Sequence, residues 1–286
     1  MVFSRIASVV LFGLPPLQGG AAAPASPLPA AHSLERVVVI GASMTAGAQL
    51  ERDLGAVLEA SLLREPRSVR TESDLFFFGR PTEVGPEQVA FVRESDPTLV
   101  VGIDFPFWFG YGSKNVDGQP IASEEERLVL LEHGLKLLEP LACPIVIGDF
   151  PDMSDSVGRM LTAPQMPAPE TLVTLNMVLY GWAEEHPNVV VVPLSRTVAD
   201  LRGGDAFRIG SAEWPAGSTD RMLQEDRLHP TLEGLVAVGH LVLFELVERE
   251  LLSPEDVELD VKVVLARLGA ATAPVEAGAG EGDDGY

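Results

Sequence analysis

Five stretches of the chain are apolar at successive positions, and segments of helical period separate them. Residues 36–41, 68–78, 98–104, 143–150 and 188–194 read as strands. Within them "VVVI", "TLVVGI" and "CPIVIG" place apolar side chains on both faces, where a strand wet on one side would alternate. Strands of that kind belong in a parallel sheet covered on both sides. Apolar residues recur at helical spacing in residues 45–63, 86–94, 123–141, 169–185 and 231–252. The alternation predicts a three-layer α/β domain, wound right-handedly, whose functional loops leave the carboxyl ends of the strands.

Two interruptions are long for a compact domain: residues 105–121, rich in aromatics, and residues 202–220. The domain is expected to fill residues 34–252. Residues 253–270, opened by Ser253-Pro254-Glu255, have the pattern of one more amphipathic helix, and residues 271–286 hold too little apolar content to pack, which predicts disorder there. At the other end, Met1 to Arg5 carries one positive charge, an apolar run follows, and a Pro/Ala-rich stretch closes residues 1–33. This is the layout of a secretory signal peptide and linker, with Ala23-Pro24-Ala25 as a cleavage site. It predicts export to a periplasmic or extracellular location; an accidental apolar patch would leave the protein cytoplasmic. No other apolar run reaches the ~18 residues of a membrane span.

Composition removes several classes of function. The 286 residues carry 42 acidic against 20 basic side chains, a formal net charge of -22, which repels nucleic-acid phosphates. Cys143 is the only cysteine, so no internal disulfide and no thiolate-rich zinc site can form. The histidines show no H-E-x-x-H spacing, and neither G-x-G-x-x-G nor a Walker glycine loop is present.

Two segments carry candidate chemistry. In "VVVIGASMTAGAQL" a buried strand turns into helix-friendly sequence at Ser43, beside free amides that favour negative charge. Ser43 or Thr45 could equally be a plain helix cap. In "EDRLHPTLEG" Asp226 lies three residues before His229. A carboxylate so placed can accept from the ring Nδ1–H, leaving Nε2 to take a proton from a serine. Of the five histidines only His229 joins an acid, a turn and a loop on the catalytic edge.

These blocks resemble those of the GDSL/SGNH hydrolase superfamily. Gly41-Ala42-Ser43-Met44-Thr45-Ala46-Gly47 is similar to the family's first block except at Ala42, and Asp226, His229, Pro230 and Gly234 match its last. The resemblance implies a three-layer flavodoxin-like fold with a five-stranded parallel sheet. It also implies ester hydrolysis without metal or organic cofactor, with Ser43 as nucleophile, His229 as general base and acid, and Asp226 as its orienting carboxylate. The oxyanion hole it implies is the Ser43 N–H, a glycine N–H at Gly79 or else Gly85, and an asparagine. Asp104 stands where that asparagine is expected, and an ionised carboxylate cannot donate. Either Asp104 is protonated among Phe105, Phe107 and Trp108, or another group fills the hole, or the site has lost its activity. Phe105, Phe107, Trp108, Phe109 and Tyr111 are either a satellite core or, through Phe107, Trp108 and Tyr111, the wall of a substrate pocket. The expected function is an exported serine esterase acting on a carbohydrate or lipid ester. The competing expectation is a noncatalytic module that binds a cell-envelope glycan or protein.

Overall fold

The computed structural model describes residues 34–64 and 68–269. The expectations of a signal peptide in residues 1–33 and a disordered tail in residues 271–286 lie outside the described residues. The central sheet is built from β1 (Arg36–Gly41), β2 (Ser68–Ser73), β3 (Leu99–Gly102), β4 (Ile145–Gly148) and β5 (Val189–Val192). All neighbours are parallel, in the order β2-β1-β3-β4-β5. This is the doubly wound flavodoxin-like order, which reverses direction between β1 and β3.

The strands bury both faces, as their composition demands. Val37 and Val39 join the core beneath α1 (Leu54–Ser61) and, from the far end of the chain, α8 (Leu232–Glu248) and α9 (Val261–Arg267). Val38 and Ile40 point the other way, into the core beneath α2 (Pro81–Ser95), α4 (Glu124–Leu138) and α5 (Pro169–Glu185). The remaining α-helices and strands among the described residues are α3 (Phe107–Tyr111), α6 (Leu194–Gly203), the antiparallel pair β6 (Phe207–Ile209) and β7 (Ala212–Trp214), and α7 (Thr219–Met222).

Three departures from the sequence pattern have causes visible in the structure. The helix expected from residue 45 begins at Leu54, because Gly47 and Gln49 have φ of 63° and 64° and break it. A Cβ on Gly47 would lie 2.0 Å from the Arg52 carbonyl oxygen, so the tight turn requires glycine. Asp53 then caps α1 by accepting from the Ala56 N–H at 2.7 Å. The helix expected from Pro86 starts five residues earlier, with Pro81 in its first turn. The third concerns α6, which fills sequence read as strand end and loop. Its cap comes from a distance: Asp149, at the end of β4, accepts from the Ser195 N–H at 2.6 Å. In the C-terminal segment the regular helix is shorter than its pattern suggested, covering Val261–Arg267.

Candidate active site

Because β1 and β3 are neighbours, the loops that follow them meet at the point where the strand order reverses. Ser43 leaves β1 in a turn spanning residues 43–49, with the Ala48 N–H donating to the Ser43 carbonyl at 2.9 Å. Asp104, two residues past β3, reaches into that turn from below. Its Oδ1 accepts from the Ala42 N–H at 3.1 Å and the Thr45 hydroxyl at 2.6 Å, and its Oδ2 accepts from the Met44 and Thr45 N–H groups at 3.0 and 3.2 Å. The carboxylate approaches the backbone so closely that a Cβ on Gly41 would lie 2.0 Å from Oδ1. Burial pushes the Asp104 pKa upward, and the hydrogen bonds from Thr45, Ala42 and Met44 pull it down without cancelling that rise.

The histidine arrives from the turn before α8. Asp226 Oδ1 accepts from the N–H groups of Leu228 and His229, each at 2.9 Å, while Oδ2 lies 2.7 Å from His229 Nδ1. Since a carboxylate only accepts, Nδ1 carries the proton and Nε2 is free to accept from the Ser43 Oγ, 2.8 Å away. Burial raises the Asp226 pKa, but the bonds from the His229 ring and the two amides outweigh it and hold the carboxyl below its ordinary value. The turn is clamped to α8 by Thr231, whose Oγ1 accepts from the Gly234 N–H at 3.2 Å. A side chain at Gly234 would strike the Met222 carbonyl oxygen at 2.0 Å, the physical reason for glycine there.

Sequence reading missed Gln224. Its N–H donates to the His229 carbonyl at 2.9 Å, and its Nε2 donates to the carbonyls of Ala48 and Pro230 at 2.9 and 2.8 Å. One amide thus ties the histidine turn to the serine turn. Arg127 was missed as well: buried on α4, it donates to the Gly110 and Gly112 carbonyls at 3.0 and 2.9 Å and fixes the end of α3. Its signal was slight, one arginine on an otherwise apolar helical face.

Other sequence expectations need correction. The Gly79 N–H is already committed to the Phe76 carbonyl at 3.0 Å, and Gly79 is absent from the wall of the cleft beside Ser43. Gly85 sits inside α2, where a Cβ would lie 2.8 Å from the Phe109 ring, so close helix packing explains it. Asp104 faces four donors and offers none, which removes it as the stand-in for an oxyanion-hole asparagine. Between the amides that Asp104 binds, the Ser43 N–H has no hydrogen-bond partner among the described residues.

The aromatic segment divides between its two expected roles. Phe105 and Phe109 are fully buried and meet Phe77 edge-on, with ring centroids 5.6 and 5.7 Å away. Phe107 and Trp108 line the cleft. Tyr111, expected in the pocket wall, is buried behind it, stacked on Phe107 at 4.1 Å with its hydroxyl donating to the Pro151 carbonyl at 2.5 Å. Among the described residues no cluster of side chains could hold a metal ion, and no helix is long and apolar enough to cross a membrane.

No family model and no curated protein matches the chain. Solved structures similar to it include TesA, at 16% identity over 74% of this chain and 97% of that one, with a TM-score of 0.47. Axe2, an acetylxylan esterase from Geobacillus stearothermophilus, is 16% identical over 76% of this chain and 94% of its own, with a TM-score of 0.43. A GDSL-like lipase from Bacteroides thetaiotaomicron is 13% identical over 75% and 88%, with a TM-score of 0.42.

Proposed function

We propose that the protein is a hydrolase of ester bonds built on the SGNH pattern, and more narrowly a serine esterase that works through an acyl-enzyme. The observation that carries this reading is the unbroken line from Asp226 Oδ2 through His229 to the Ser43 Oγ, with steps of 2.7 and 2.8 Å. In the reaction, Ser43 Oγ attacks the ester carbonyl as its proton passes to His229 Nε2. Asp226 holds the ring in the tautomer that permits this and stabilises the imidazolium. The carbonyl oxygen becomes an oxyanion, which the free Ser43 N–H addresses. As the tetrahedral species collapses, the bond to the leaving oxygen breaks and that oxygen takes the proton from Nε2. A water molecule, deprotonated by the same nitrogen, then attacks the acyl-Ser43 ester; the bond to Ser43 Oγ breaks, Oγ takes the proton back from Nε2, and the acid is released.

Asp104 acts in this reading on the loop and not on the substrate. By binding the amides on either side of Ser43 it fixes the turn and leaves the Ser43 N–H turned away from it. The substitution that favoured a noncatalytic module thereby gains an active explanation. Each hole donor the site lacks costs about 100-fold to 1000-fold in turnover, so this esterase should be a slow one. The composition of residues 1–33 supports export.

The test is hydrolysis of p-nitrophenyl butyrate by the wild type and Ser43→Ala, together with mass spectrometry after a fluorophosphonate. The expected results are a fall of turnover in the variant to the uncatalysed background, and one adduct located on Ser43. Retained turnover in the variant, or an adduct elsewhere, would refute the assignment.

A further inference from the structure

Beside Ser43 the cleft continues as a slot of about 110 Å³ that runs into the layer beneath α6 and α8. Each helix turns one stripe toward it. Leu194, Thr197, Val198 and Leu201 do so from α6, and Gly234, Ala237, Val238 and Leu241 from α8. Both sets follow the i, i+3, i+4, i+7 spacing of a single helical face. Met44, Phe107, Trp108 and Leu228 surround the mouth, and Phe207 stands with Leu201 and Leu241 at the other end.

The wall holds few polar groups, and those outside the Ser43–His229 pair are already occupied. Asp104 is filled by the serine turn. Asp149 accepts from the Ser195 N–H and hydroxyl and from the Tyr180 hydroxyl, at 2.6, 2.5 and 3.1 Å. The Thr197 hydroxyl donates to the Pro193 carbonyl at 3.2 Å. A sugar ring in the slot would lose its hydrogen bonds to water and find none to replace them. A hydrocarbon chain loses nothing by entering.

We propose that the slot takes the acyl part of the substrate and that this acyl group is an unbranched aliphatic chain of about four carbons. The inference rests on the serine-esterase reading and names its substrate class. The volume sets the limit: an aliphatic cavity of about 150 Å³ is filled by the six carbons of one benzene, so a slot of about 110 Å³ holds roughly four carbons of a single chain and no ring. The rise along α8 is no tighter a limit: seven residues separate Gly234 from Leu241, which at 1.5 Å per residue is about 10 Å, longer than such a chain. The leaving alcohol stays at the mouth, where His229 protonates it.

The experiment measures kcat/KM for p-nitrophenyl esters from acetate to myristate on the full chain. The expected result is a rise of up to about fourfold per methylene as far as butyrate, then a fall from octanoate onward. A maximum at acetate, or a series without a break past about four carbons, would overturn the proposal. Ala237→Phe, whose ring would enter about one helical turn from Gly234, should move the optimum to acetate; Val198→Phe, at a less buried position, should shorten it too should the first variant fold poorly. Binding of methyl ketones of four to fourteen carbons to Ser43→Ala, read from the tryptophan fluorescence, follows the slot without the reaction. Affinity that peaks at the same length while no ester turns over would sink the esterase and keep the slot. Ester turnover with affinity indifferent to length would do the reverse.

Discussion

The two carboxylates beside the Ser43 turn have opposite surroundings. Asp226 belongs to the turn it organises: its partners are Leu228 and His229, two and three residues away, and its pKa is held down. Asp104 organises a turn about sixty residues distant, is buried, and has its pKa pushed up. A short-range clamp sets the angle of one ring. A long-range clamp depends on the whole sheet and positions a stretch of backbone. Damage to the first should reach the chemistry alone, and damage to the second should reach chemistry and fold together.

The largest effect that tests this contrast is expected of Asp226→Asn. The amide can still accept from Nδ1–H, but it can also donate and so stabilise the wrong tautomer, and it no longer balances the imidazolium. A loss of about 10⁴-fold in kcat follows, with a thermal midpoint close to that of the wild type. A large drop in melting temperature would show that Asp226 is a structural clamp like Asp104.

Asp104→Asn comes next. Four donors face the carboxylate, so an amide must turn its NH2 toward some of them. With the oxygen on the Met44 and Thr45 amides, the NH2 meets the Ala42 N–H, and a buried donor left unpaired costs about 1–3 kcal/mol. The serine turn shifts, and a displacement near 1 Å costs on the order of 100-fold in kcat. Unchanged or faster turnover would return Asp104 to the oxyanion hole.

Gln224 joins the two regions, and Gln224→Leu measures their coupling. It removes two hydrogen bonds and leaves the Ala48 and Pro230 carbonyls short of a donor, which should lower kcat by up to about 30-fold if each bond is worth about 1 kcal/mol. No change in kcat would mean that the two turns hold their relative position without the brace.

The same contrast governs what the sequence could disclose. Asp226 and His229 were legible because their geometry is local: three residues and a turn bring the groups together whatever surrounds them. Ser43 was legible from the run of β-branched residues ending at a glycine. Asp104 was seen, but its role was not, because only the pairing of β1 with β3 carries its oxygens under the Ser43 turn. Helix α6 went unread for a related reason, since Asp149, the residue that caps it, lies 46 positions earlier. The aromatic segment was legible in composition alone, and only the packing of α3 sends Phe107 and Trp108 to the cleft while Phe109 and Tyr111 go inside.

The smallest effect is one of sign. A carboxyl whose pKa is lower in the folded than in the unfolded chain stabilises the fold above the unfolded value and loses that contribution as the pH falls through the folded value. Asp226 is such a group. Asp104 is the opposite case: with its pKa raised, the folded chain holds the proton more tightly. Its contribution is greatest below the ordinary carboxyl value of 3.8 and fades as the pH rises through the folded value. Denaturant unfolding of wild type, Asp226→Asn and Asp104→Asn from pH 3 upward separates the two. Relative to wild type, Asp226→Asn should gain stability toward acid and Asp104→Asn should lose it. Parallel curves for the two variants would show that both carboxyls titrate as one type of group, and the distinction between a local and a distant clamp would then have no electrostatic basis.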